Sequence, residues 1–409
     1  MSLLIVYGSE TGTAEDVAES LCREGRMRGA SVRLMAFDEY DVQDLPGETA
    51  VLFVVSTAGQ GEFPPAARAT WKRLLVRSLT QDHLREVSFA VVALGDSSYQ
   101  KYNFAGKKLY RRLLQLGAKE LLPICLADDQ HESGIDGALL PWKDLLWPRL
   151  APLIPNLAQS VDIAKLPPPK YSLEYGDIEE GGSTVDESRT DEERQRMVGV
   201  RVATNERVTA DGHFQDTRLI TLEIGEHTEA LSYSPGDVLM VQPRSLAESL
   251  SIALEALQYP DEVLDRPFKC TPSDPLIRPL PIDIIGPSPP TLRHCLSVYF
   301  DLQQRPRRSF FEILSALSED EMEREKLTEL ASAAGQDDYV DYITRTRRTI
   351  AETLRDFGHT AARIPPERLF DLLPRMRPRA FSIASCPVSH QGRLQIIVAK
   401  VRVPKLRMS

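Results

Sequence analysis

The sequence is short of cysteine, of positive charge and of long apolar runs, and each shortage removes a class of function. Five cysteines, Cys22, Cys125, Cys270, Cys295 and Cys386, are scattered over 409 residues with no CxxC pair. An odd, dispersed set argues against a disulfide framework or a structural zinc site and for a reducing compartment, here the cytoplasm. Lys and Arg number 49 against 59 Asp and Glu, a net charge of −10. A surplus of that sign repels phosphate backbones and anionic bilayers, so neither nucleic acid nor a membrane is expected as a main partner. It favours a partner with a basic face. No apolar stretch approaches the roughly 20 residues needed to cross a bilayer. The run Leu3–Tyr7 is too short for a signal core and has no basic residue before it. What is present is ordinary: 42% hydrophobic and 26% charged residues, the balance of a folded chain. The length suits two or three domains.

Residues 1–150 alternate strand and helix patterns. Leu3–Gly8, Ser31–Phe37, Ala50–Ser56, Phe89–Gly95 and Leu121–Leu126 read as strands that are apolar nearly throughout. Ala14, Val17, Ala18 and Leu21 share one helical face, as do Ala105, Leu109, Leu113 and Leu116, and Trp71, Leu74 and Leu75 mark a third helix. Apolar strands alternating with amphipathic helices predict a parallel sheet covered on both faces, an α/β doubly wound fold. Residues 151–196 are rich in Pro, Gly and acidic side chains and read as a linker. Beyond it the period becomes 2, at Ile220, Leu222 and Ile224, and strands are expected again at Arg379–Ala384 and Leu394–Val401. The proline-dense stretch 260–290 is expected to be irregular, and helices are expected between Ser309 and Phe357. Residues 197–409 therefore read as a β-barrel module with a helical insertion at about 250–370.

The strongest local signal is Gly8-Ser9-Glu10-Thr11-Gly12-Thr13-Ala14, between the first strand and the first helix. Hydroxyls and backbone N–H groups at a helix start can cradle a phosphate. The loop has no Lys, unlike a nucleoside-triphosphate loop, and its glycines are not spaced as in a dinucleotide fold. It suits one terminal monophosphate, or else its hydroxyls only cap the helix. Two more loops favour a ligand: Ser56-Thr57-Ala58-Gly59 after the third strand, and Leu94-Gly95-Asp96-Ser97-Ser98-Tyr99-Gln100-Lys101-Tyr102-Asn103 after the fourth. In a sheet of order 2-1-3-4-5 all three open at the switch point. Tyr99 is then either a stacking aromatic beside a flat heterocycle or an ordinary surface tyrosine.

These three loops resemble the FMN loops of flavodoxin-like domains. The resemblance implies that Ser9–Ala14 bind the FMN phosphate, that Ser56–Gly59 and Leu94–Asn103 bracket the flavin ring with Tyr99 stacked on it, and that Asp129 lies near the flavin edge. Ala58 stands where many relatives carry an aromatic, which implies a less covered ring. Arg379-Ala380-Phe381-Ser382 resembles the R-x-[YF]-S signature of FAD-binding reductase domains, with Arg347 matching a further FAD-contacting arginine; by residue type alone these are an edge strand and a basic turn. The module order is similar to that of the diflavin reductases. The segments 107–117, 128–132 and 377–385 look most like the soluble NADPH-dependent diflavin oxidoreductases of cytosolic iron–sulfur protein assembly.

That resemblance implies electron flow from NADPH through FAD and FMN to an anamorsin-like iron–sulfur acceptor protein, with no catalytic side chain and no metal ligand assigned. The C-terminal NADP module of the family has no counterpart before Ser409, so the FAD module is expected to be incomplete and NADPH oxidation by the chain is not expected. The alternative is a non-turning-over form that docks the redox partner. Arg305, Arg307 and Arg308 read as a solvated or interdomain basic cluster, and Glu319–Glu323 as a solvated helix face.

Overall fold

The computed structural model describes residues 2–155, 157–158, 165–175, 198–225, 231–277, 280 and 289–400. Packing divides the chain into two compact units. One comprises Met1–Lys170, Pro272–Arg278 and Arg307–Tyr339; the other comprises Tyr171–Thr271, Pro279–Pro306 and Val340–Ser409.

The first unit is built on a parallel sheet of β1 (Leu3–Gly8), β2 (Val32–Ala36), β3 (Ala50–Ser56), β4 (Ser88–Gly95), β5 (Lys119–Glu120) and β6 (Cys125–Asp128). Its order is β2-β1-β3-β4, with β5 and β6 both paired to β4. The fifth strand expected from the apolar run is thus divided. Pro123 lies in the gap and has no N–H to give a ladder, and its carbonyl instead accepts from the Trp142 indole at 2.8 Å. Helices α1 (Thr13–Met27), α2 (Pro65–Leu74), α3 (Phe104–Gln115) and α4 (Asp136–Leu150) cover the sheet. Leu3, Ile5, Leu52, Val54 and Val92 face a layer containing Val17, Leu21, Trp142 and Leu146. Leu4, Val6, Val51, Phe53 and Val91 face the opposite layer, with Leu109 and Leu113. Alternate residues of each strand therefore feed two separate cores, which is why the strands read as continuous apolar runs. Leu75, grouped above with the helical face of Trp71 and Leu74, falls after the end of α2 and is half exposed.

Two further helices, Arg308–Leu317 and Glu321–Ala331, belong to this unit although they lie far along the chain. Phe310, Phe311, Ile313 and Leu314 of the first are buried, with Leu327 and Leu330 of the second. The second helix does keep Glu321 and Glu323 on its solvated side, and Asp320 caps it by accepting from the Glu323 N–H.

Among its described residues the second unit holds two antiparallel sheets, β8 (Arg201–Arg207), β9 (Asp216–Glu223) and β13 (Arg393–Lys400) in order β13-β9-β8, and β10 (Val238–Val241) with β12 (Arg379–Ser382); β7 (Tyr171–Tyr175) also pairs with β11 (Phe268–Pro272). A bridge between Ile383 and Ile396 joins the two sheets. Leu222, Ile224, Leu394 and Ile396 form their common core, with Leu239, Val241 and Phe381 packed against it. This is the expected barrel-type module, to which the helices Ala247–Leu257 and Ile350–Asp356 are added. Within the stretch 260–290, the described residues 260–277 are less irregular than their prolines imply. Pro260 precedes a short helix, Pro267 precedes β11 and Pro272 ends it, so the rings sit at boundaries while Phe268 and Cys270 alternate inward. Tyr171–Tyr175, within the stretch read as linker, is a strand; residues 179–193 lie outside the described residues.

Candidate functional site

Because β1, β3, β4 and β6 run parallel, their carboxyl ends place residues 8–14, 56–61, 95–103 and 128–130 at one edge of the sheet. The switch point lies between β1 and β3, since β2 pairs with β1 on the other side. The loops are tied to one another. Ser56 Oγ donates to the Gly8 carbonyl at 3.2 Å, and the Thr57 N–H donates to the Leu94 carbonyl at 2.9 Å. Tyr102 and Asn103 donate through Oη and Nδ2 to the Leu126 and Ala127 carbonyls at 2.8 and 3.0 Å. The Asp129 N–H donates to the Gly95 carbonyl at 2.9 Å.

In the first loop Gly12 takes φ 97°, a conformation that favours glycine, and donates its N–H to Ser9 Oγ at 3.0 Å. The chain then turns directly into α1, whose start has no side-chain cap. Its first-turn N–H groups have no acceptor within the helix. The capping role open to these hydroxyls is thus not taken at the α1 start; Ser9 serves the turn itself. The first-turn carboxylates are held: Tyr7 Oη donates to Glu15 at 3.1 Å and Ser309 Oγ donates to Asp16 at 2.7 Å. Burial pushes the Asp16 carboxyl above the ordinary range, against the opposing pull of Arg307 and the Ser309 hydrogen bond. The result is a start of α1 open to an acceptor, with Glu10 and Thr11 exposed.

The second loop folds on itself through paired Ala58 and Glu62 backbone bonds, with Gly59 and Gly61 at φ 46° and 84°. Ala58 is buried, and Thr57 Oγ1 is buried with no hydrogen-bond partner. A Cβ on Gly61 would fall 2.7 Å from Lys101, so the second and third loops touch there. In the third loop Leu94 is buried, Tyr99 is 65% exposed, and Ser97, Ser98, Gln100 and Lys101 are exposed around it. Hydrogen bonds from Ser98 to Asp96 hold that carboxyl below the usual range. Asp128 organises the fourth segment: one oxygen accepts from the Ser97 and Gln130 N–H groups at 2.9 and 3.0 Å. Slight burial raises its carboxyl, but those bonds and His131 outweigh it and leave it lowered. Asp129 is exposed beside it. Asp128 was missed by motif reading, although an acidic pair followed by Gln130 is visible there.

The largest omission is Arg307. Its guanidinium donates to the Gly12 carbonyl at 2.9 Å and to Thr13 Oγ1 at 3.3 Å. The loop that lacks a cation in sequence acquires one from 294 residues away, and nothing in its spacing signals this. Nor is Arg308 solvated: only 7% exposed, it pairs with Asp136 at 2.6 Å and also donates to the Leu330 and Ser332 carbonyls. Only Arg305 of the basic cluster is exposed.

In the second unit, cross-strand pairs set the faces of β10 and β12. Val238 opposes Ser382 and Met240 opposes Ala380; all four are exposed. Leu239 opposes Phe381, whose ring is part-buried against the core, and Arg379 is exposed at the strand start. Arg347 is exposed in a turn at φ 54° and makes no hydrogen bond or ion pair to β12 among the described residues.

Comparison with known proteins agrees with both halves. The flavodoxin family matches residues 5–142, and the FAD-binding domain family matches residues 190–408. A flavodoxin-type module followed by an FAD-binding module defines a flavoprotein of two cofactors, FMN and FAD, that transfers electrons. The chain is 44% identical over 98% of its length to NADPH-dependent diflavin oxidoreductase 1 of Bos taurus and 40% identical to that of Danio rerio, spanning 67% of each. The protein of that name from Dictyostelium discoideum is 34% identical, with 62% of its length covered. The chain belongs to the NADPH-dependent diflavin oxidoreductase family, whose members are oxidoreductases with NADPH as cosubstrate.

The residues at the sheet edge fit FMN: the uncapped helix start and the unpartnered Thr57 hydroxyl are the donors a phosphate and a polar ring edge require, and Gly12 in left-handed backbone shapes the loop around them. The open face of Val238, Met240, Ala380 and Ser382 is an apolar platform with one hydroxyl, which fits a flat ring.

Proposed function

We propose that this chain is a flavin electron carrier that takes electrons derived from NADPH and delivers them to an iron–sulfur protein acceptor of the anamorsin type in cytosolic iron–sulfur cluster assembly. The observation that supports this reading best is the convergence of three non-contiguous loops on one sheet edge, where the start of α1 is uncapped and the Thr57 hydroxyl has no partner. Ser9–Ala14 hold the FMN phosphate; Ser56–Gly59 and Leu94–Asn103 flank the ring, with Tyr99 against it and Asp129 at its edge. Arg379–Ser382 and Arg347 contact FAD. When bound, the two flavins supply the redox chemistry, accepting a hydride equivalent and releasing single electrons.

The side chains bind, orient and tune. Thr57 donates its hydroxyl hydrogen to the cofactor. Asp128 fixes the Ser97 and Gln130 amides, and so sets the third loop against the ring. The buried Ala58 leaves one ring face less covered than an aromatic there would.

The acidic surface offers a docking partner a field that attracts a basic face. Among the described residues no helix is long and apolar enough to cross a membrane, and we place the protein in the cytoplasm. Purified chain should be yellow and yield about one extractable FMN per chain, and should reduce an iron–sulfur acceptor once its flavin has been reduced chemically. Colourless protein that takes up no added FMN would remove the carrier role and leave partner docking alone.

A further inference from the structure

The geometry points to Arg307 as the cationic element of the phosphate site, a positioning residue that orients Thr13 and makes the first loop selective for a phosphorylated flavin. This rests on the reading of Ser9–Ala14 as the FMN phosphate loop.

A threonine hydroxyl has one hydrogen and two lone pairs. In this structure Thr13 Oγ1 accepts from the Arg307 guanidinium at 3.3 Å, so its own hydrogen is left for another acceptor. A hydroxyl that accepts from a cation is also a stronger donor. The second guanidinium bond, to the Gly12 carbonyl at 2.9 Å, braces the residue whose left-handed backbone starts α1.

The charge of Arg307 is not fully spent within the protein. Among the described residues its nearest carboxylate, Asp16, is 3.9 Å away, beyond hydrogen-bond distance, and one Asp16 oxygen is engaged by Ser309 at 2.7 Å. The Arg307 side chain is 24% exposed, screened from most solvent but not from a neighbour in the loop. An anion bound at the start of α1 would therefore feel both the helix amides and this cation.

The placement is rigid. Arg307 is the N-cap residue of the helix Arg308–Leu317. The next residue, Arg308, is locked by Asp136, by the Leu330 and Ser332 carbonyls, by Gln336 and by the Tyr339 ring at 4.9 Å. One turn further on, Glu312 pairs with Arg23 of α1 at 2.6 Å. The helix start is thus fixed to α1 and α4 independently of Arg307, which leaves Arg307 free to serve the loop.

The test titrates the flavin-free 409-residue chain with FMN and with riboflavin, following the quenching of flavin fluorescence. The ratio of the two dissociation constants measures what the phosphate contributes. Wild type should prefer FMN. Arg307→Gln should lower that preference about tenfold while riboflavin binds as before, a loss in the range of one charge-assisted contact. Glu312→Gln, which loosens the same helix from α1, should leave the ratio unchanged. Should Arg307→Gln not fold, Arg307→Lys serves in its place: a point charge without the fork should keep part of the preference and lose it with added salt. An unchanged FMN-to-riboflavin ratio in the Arg307 variants, or equal weakening of both flavins, would overturn the role of Arg307. A wild type that binds both flavins alike would overturn the phosphate-loop reading itself, and Arg307 with it.

Discussion

Asn103 shows how tightly single side chains are committed at the sheet edge. It is fully buried, takes φ 56°, and donates to the Ala127 carbonyl while its Oδ1 lies over Gly95. A Cβ on Gly95 would come within 2.5 Å of that oxygen and 3.0 Å of the Asn103 backbone nitrogen. Gly95→Ala should therefore destabilise the first unit by about 2 kcal/mol, read from urea unfolding, and weaken FMN retention along with it. Asp16 carries a pH signature. Burial raises its carboxyl above the unfolded value despite Arg307. The folded state thus holds that proton more tightly than the unfolded chain. Its stabilising contribution is full below the ordinary carboxylate range and is lost as pH rises through the elevated value. Asp16→Asn should shrink the stability difference between about pH 4 and neutrality, measured by urea midpoints across that range; an unchanged pH profile would mean that Asp16 is not linked to folding.

Among the elements, those defined by local pattern were legible and those defined by distant packing were not. The first three loops each follow a strand and precede a helix, so motif and position coincide within a few residues, and the apolar runs of β1, β3 and β4 announce a sheet covered on both faces. The division of the fifth strand turns on one proline, Pro123, whose effect a hydrophobic run conceals. The helices Arg308–Leu317 and Glu321–Ala331 were visible as helices, but not their place against α1 and α4. That place depends on ion pairs such as Arg308 with Asp136 and Arg23 with Glu312, across 172 and 289 residues, which no local spacing encodes. A cluster written Arg-Pro-Arg-Arg looks solvated until its partners are known. Arg308→Ala should cost the first unit about 3 kcal/mol or more, because Asp136 and two backbone carbonyls lose their donor in a buried setting. Denaturant unfolding followed by tryptophan fluorescence, with Trp142 and Trp147 both on α4, reads this directly.

Over the whole molecule, the net charge of −10 sets the terms of association. A partner with a basic face should be reduced more slowly as salt rises from about 50 to 200 mM, since screening shortens the reach of the field. A rate that ignores ionic strength would remove the steering argument. The helices 308–331 have a further consequence, in the timing of synthesis. The ribosome releases Lys170 well before it reaches Tyr339, and at ~5–20 residues per second the interval is roughly ten to thirty seconds. During it the nascent doubly wound sheet has its three loops but not Arg307, and Asp16 and Asp136 await their arginines. Cofactor capture with full phosphate selectivity is consequently a late event in biogenesis, completed only when a segment made long after the loop returns to close it.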